Sequence, residues 1–110
     1  MSDQNSVKPA EVKNLLDLLQ YQDSSIVSRV LLKNKGGTVT LFAFDAGEGL
    51  SEHTAPFDAL VVVTDGEAEV QIAGEGFRVR QGETIILPAN RPHAVKATTK
   101  FKMLLIMIRA

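Results

Sequence analysis

The chain has no cysteine. That absence excludes a disulfide framework, a thiolate zinc site and a cysteine nucleophile, and nothing then implies an oxidising compartment. Long apolar runs are missing too. Stretches such as Leu60 to Val63 and Met103 to Ile108 fall far short of the ~20 residues a membrane-spanning helix needs. Nor is there an excess of charge of one sign, with 12 basic against 13 acidic side chains and a net charge of -1. Nucleic acid is therefore not an expected partner. The opening "MSDQNSVKPAEVKN" lacks a charged-then-apolar signal pattern, so the expected location is cytoplasmic, with no membrane as partner. No serine sits in a G-x-S-x-G elbow. "GEGL" and "AGEGFR" are glycine turns without the Lys-Ser/Thr end of a phosphate-binding loop or the strand-to-helix setting of a dinucleotide fingerprint.

What is present points to one small β domain. A length of 110 residues fits a single core, and a chain of that size buries only about 60–70% of the surface its unfolded form exposes. Association into a homodimer would relieve that shortage, and an apolar C-terminal run, "KFKMLLIMIRA", would suit a core or a subunit contact.

Helical spacing occurs once. Val12, Leu15, Leu16, Leu18 and Leu19 recur at three- and four-residue intervals after Pro9, which predicts one short helix over 9–20 in an N-terminal segment of residues 1–24. From residue 25 to 110 the texture is short β-rich runs broken by Gly, Asn, Asp and Pro. The candidate strands are 25–33, 38–45, 57–64, 66–73, 76–80, 83–87, 93–98 and 100–109. "NKGG", "TDGE", "AGEG" and "RQGE" are read as the turns between them, each with a glycine able to take positive φ. Tight turns with no intervening helices favour antiparallel pairing.

The stretch "SEHTAPFDALVVVTDGEAEV" carries the spacing that composition does not. Gly47, His53, Ala55, Ala59 and Gly66 fall at the positions of G-x5-H-x-H-x3-E-x6-G, with Ala55 and Ala59 where the second His and the Glu would stand. Gly82, Pro88, Asn90, His93 and Ala97 follow G-x5-P-x-G-x2-H-x3-N, with Asn90 and Ala97 departing from it. In this order the two segments resemble the paired motifs of the cupin superfamily, and "HTAPFDAL" is similar to a subgroup of small single-domain cupins.

The resemblance implies an all-β fold, a double-stranded antiparallel β-helix or jelly-roll barrel. It implies a metal held by two His and a Glu of the first motif and one His of the second, of which only His53 and His93 remain. On strand parity, His53, Ala55, Phe57, Ala59, Val61 and Val63 would share one face if no bulge intervenes. That face is apolar except for His53. Two imidazoles leave a divalent first-row ion short of its usual three or four protein ligands. Asp58 and Glu52 are the nearest carboxylates and have the wrong parity unless a bulge near Pro56 re-aims one. Asp58 could instead hydrogen-bond a loop or hold a histidine tautomer.

Three readings follow. In the first, a small molecule, or a loosely held divalent ion (Fe, Mn, Ni or Zn), enters an apolar pocket lined by His53, Ala55, Phe57, Ala59 and His93. The second is a metal-dependent dioxygenase or isomerase using His53, His93 and Asp58 or Glu52. The third is a non-catalytic dimeric regulatory or interaction module.

Overall fold

The structure is a computed structural model that describes residues 7–109. Its regular elements are almost all strands: β1 (Ile26–Asn34), β2 (Gly37–Phe44), β3 (Gly49–His53), β4 (Asp58–Ile72), β5 (Glu75–Arg80), β6 (Thr84–Leu87), β7 (His93–Lys96) and β8 (Phe101–Ile108). Every pairing is antiparallel. The order runs β1-β2-β8-β4-β7-β3, with β5 and β6 also on β4.

β4 makes the sheet curl. Its first half pairs with β6 and β8, its second half with β5 and β7. Between them the register with β8 slips at Val63/Asp65, a bulge that bends the strand. Gly66 takes φ +74° there, and a Cβ on it would lie 2.3 Å from the Lys100 carbonyl oxygen. Only glycine fits so close an approach of two backbones. "TDGE" is thus a bend inside one strand of 15 residues, and the expected strands 57–64 and 66–73 are one element. The strand count survives because β3, "GLSEH", takes the vacant place. It is short, mostly exposed and polar, so no apolar alternation announces it.

The concave side holds the core. Phe44 and Phe101 are fully buried and stacked, with centroids 4.5 Å apart and planes at 9°. Val61, Val63, Val70 and Met103 pack beside them.

The expected helix over 9–20 does not form. Among the described residues the only helical element is a 3-10 turn, Leu15–Asp17, capped by the Asn14 side chain accepting from Leu16 N–H. The leucine spacing serves a different purpose: Leu15, Leu18 and Leu19 pack on Leu41, Ala43 and Leu104 on the outer side of the sheet. The carbonyls that an α-helix would use internally are taken by cations of the barrel. Arg29 Nη1 donates to Leu18 O at 2.9 Å and the buried Lys102 Nζ to Leu16 O at 2.9 Å. Tertiary contacts therefore override local propensity. Tyr21 completes the anchorage by donating to Asp65 Oδ2 at 2.6 Å, and burial first, then that hydrogen bond, pushes its phenol pKa up.

Candidate ligand site

β3 ends and β7 begins at the same level: His53 and His93 are register partners. Their rings meet edge to face, 4.4 Å between centroids and 69° between planes. Each is held by the same local device, a contact from Nδ1 to the carbonyl two residues earlier. For His53 that is Ser51 O at 3.0 Å, for His93 it is Arg91 O at 3.2 Å. A carbonyl only accepts, so Nδ1 carries the proton in both rings. With Nδ1 carrying the proton, the Nε2 atoms are left as the acceptor positions of the two rings.

The rings differ in exposure. His93 is 6% exposed, whereas His53 lies open to solvent. Burial pushes the His93 pKa down, the hydrogen bond to Arg91 O opposes this, and the neighbouring His53 adds to the depression. His93 is therefore neutral at physiological pH.

The two imidazoles border a cavity of about 70 Å³. Ala55, Phe57 and Ala59 line it on one side, Met103 and Met107 on another. The structure thus brings His53, Ala55, Phe57, Ala59 and His93 together, though not by the expected route of one continuous strand face. His53 closes β3, residues 54–57 form an irregular link, and Ala59 belongs to β4. The lining from β8 was not foreseen. Its signal lies in "FKMLLIMI", where Met103, Leu105 and Met107 alternate toward the interior.

The candidate carboxylates lie elsewhere. Asp58 is exposed and its Oδ1 accepts from Ala89 N–H at 2.9 Å, so it ties the start of β4 to the turn before β7. Glu52 is exposed and does not border the cavity. Among the described residues no three His, Cys, Asp or Glu side chains converge. The donor set offered here is two imidazoles in an apolar wall, which does not fit a divalent ion held by protein ligands alone. A larger groove of about 370 Å³ lies outside β3 and β7, bordered by Glu48, Glu69 and Lys96. It is open to solvent, and Glu69 is engaged by Thr98.

An antiparallel sheet curled into a half-barrel, with a histidine pair at the meeting of two motif segments, defines a jelly-roll domain of the cupin type. The sequence pattern described as Cupin domain matches residues 40–109, and the chain belongs to that family. No curated protein is similar enough to count as a match. Among solved structures, a conserved protein of unknown function from Streptococcus pyogenes is 34% identical over 94% of this chain and 91% of its own, with a TM-score of 0.89. A cupin 2 conserved barrel domain protein from Leptotrichia buccalis is 45% identical over 88% of this chain, TM-score 0.85. The match covers 47% of that protein, so this chain spans about half its length. A cupin superfamily protein from Desulfitobacterium hafniense matches at 24% identity over 96% of each chain, TM-score 0.88, which speaks for the fold alone. No helix of the described residues is long and apolar enough to cross a membrane.

Proposed function

We propose that the protein binds a small, mostly apolar organic molecule through a hydroxyl or N–H group placed between His53 and His93. The observation that carries this reading is the shared tether of both Nδ1 atoms to backbone carbonyls. It fixes two hydrogen-bond acceptors at the edge of an otherwise apolar cavity, the pattern of few placed polar groups in an apolar pocket that marks ligand sites.

Size limits what enters. A cavity of about 70 Å³ is roughly half of the ~150 Å³ that accommodates benzene. Only a head group of a few heavy atoms fits inside; the rest of the molecule lies at the mouth beside the exposed His53. A divalent ion enters this site only as the chelate of such a molecule, because the protein supplies two donors and no carboxylate.

The test compares short-chain 1,2-diols with their O-methylated ethers by nitrogen-15-edited NMR titration. Diols should shift the imidazole and Ala59 signals and bind severalfold tighter, the scale of one or two net hydrogen bonds at ~0.5–1.5 kcal/mol each. Equal binding of the ethers, or no shift at the cavity, would overturn the reading.

A further inference from the structure

The apolar wall of the cavity holds a donor atom that hydroxyl binding leaves idle. Met107 of β8 is the register partner of Ala59 of β4, and both border the cavity together with His53 and His93. Register partners on one face of a sheet stand about 4.5–5.5 Å apart at Cβ, and the side chain of Ala59 ends at that atom. The space a longer side chain at 59 would fill is therefore open to Met107, which is flexible and carries a polarisable thioether. Met103 also lines the cavity, but its register partner is Val63. Four residues of strand, about 13 Å, separate the two methionines, so one small ion does not take both.

Both imidazoles are held as metal ligands commonly are. A ligating histidine usually gives its other ring N–H to a carbonyl or carboxylate, which fixes the ring and leaves one nitrogen for the metal. His53 does so to Ser51 O and His93 to Arg91 O. The ring centroids are 4.4 Å apart. At metal–nitrogen distances of ~2.0–2.1 Å, two imidazoles in line through one ion would hold their centroids roughly 6 Å apart, so this pair shares an ion only at a bent angle. A bent pair leaves room for a third donor.

Softness and charge select the ion. Thioether sulfur suits Cu(I) and is a poor donor to hard divalent ions, for which the site has only its two imidazoles. No carboxylate borders the cavity. The cost of burying an ion grows with the square of its charge, so a singly charged ion costs about a quarter of what a doubly charged ion of equal size does.

We propose that His53 Nε2, His93 Nε2 and Met107 Sδ form a three-coordinate site for a soft monovalent d10 ion, Cu(I) or its redox-inert stand-in Ag(I). The site shares its imidazoles with the hydroxyl-binding reading but does not rest on it. Loading is binding alone, without a change of oxidation state.

The experiment adds silver nitrate to the full chain in chloride-free buffer and follows the methionine methyl groups by carbon-13-edited NMR. The chain has three methionines, so Met1 and Met103 serve as internal controls. The Met107 methyl should move and saturate at one ion per chain, while zinc nitrate leaves it in place. Met107→Leu should weaken silver binding roughly tenfold or more, since losing even the hydrogen-bond partner of a metal ligand commonly costs ~10–100-fold. Met103→Leu should bind silver like the wild type. Leucine and methionine are close in volume, so both variants keep the core packed, which an unchanged circular dichroism spectrum checks. A Met107 methyl unmoved by excess silver overturns the proposal, as do silver held only at Met1, silver held by Met107→Leu as tightly as by the wild type, and zinc held as tightly as silver. Met107→Leu keeps both imidazoles, so its preference for diols over ethers should persist. Silver binding without diol binding counts against the hydroxyl-binding reading alone, and diol binding without silver against this site alone.

Discussion

Two pairs of aromatic rings sit toward opposite ends of the half-barrel at almost the same separation. Phe44 and Phe101 stack at 4.5 Å; His53 and His93 meet edge to face at 4.4 Å. The first pair is fully buried and fills its end of the interior. The second borders a cavity and has one ring in solvent. The fold thus closes one end with apolar surface and leaves at the other two polar atoms whose hydrogen-bonding capacity it does not use. On the proposed reading, stability and recognition fall to different ends of one sheet.

The sharpest way to break this contrast is at the filled end. Phe101→Ala should lower unfolding stability by about 3–5 kcal/mol, the usual cost of removing a buried aromatic ring, in a denaturant titration. That is a large share of the ~5–15 kcal/mol typical of a whole domain.

The next largest effect comes from restoring what the open end lacks. Ala55 and Ala59 already border the cavity and stand at the motif positions of His and Glu. Ala55→His combined with Ala59→Glu should give four donors and retain about one Ni or Zn per chain by mass spectrometry after dialysis, at an affinity at least a hundredfold above the wild type's. Equal metal content in both proteins would show that these positions do not converge on one point.

A smaller effect separates the two histidines. His93→Ala should cost about 1–3 kcal/mol through the space and unmet hydrogen bond it leaves, whereas His53→Ala, at an exposed position, should cost less than about 0.5 kcal/mol. Both should abolish the preference for diols over ethers.

The smallest is a pH dependence. The folded His93 pKa lies below its ordinary value, so the unfolded chain takes up a proton first as pH falls. The stability that His93 contributes is full above ~6.5, the unfolded value, and declines below it toward the depressed folded value. Diol binding should weaken lower still, as pH falls through the depressed folded value and His93 Nε2 gains its proton. His93→Gln should flatten the stability profile there; an unchanged profile would assign the dependence to other groups.

The motif glycines, His53 and His93 carried the fold in the sequence, because backbone approach and motif spacing leave marks in residue identity. The grouping of His53, Ala55, Phe57 and Ala59 was legible too, although by a parity argument that assumed one strand where there are a strand end and a link. Three things were not legible. Leu15, Leu18 and Leu19 show helical spacing but answer to a sheet face and to Arg29 and Lys102, which are distant in sequence. Gly66 looks like a turn because positive φ serves a bulge as readily as a hairpin. β3 has little apolar pattern, since it is a short strand at the sheet's edge.

The strand order has a consequence for how the protein is made. β8, the last in sequence of the eight strands among the described residues, lies between β2 and β4. Until it docks, both of its neighbours present open edges, ready templates for pairing with other chains. Synthesis interrupted near Lys100 would therefore release a fragment with a gap through its sheet, and such fragments should aggregate rather than linger as half-folded monomers. These two inner edges are closed only when β8 arrives.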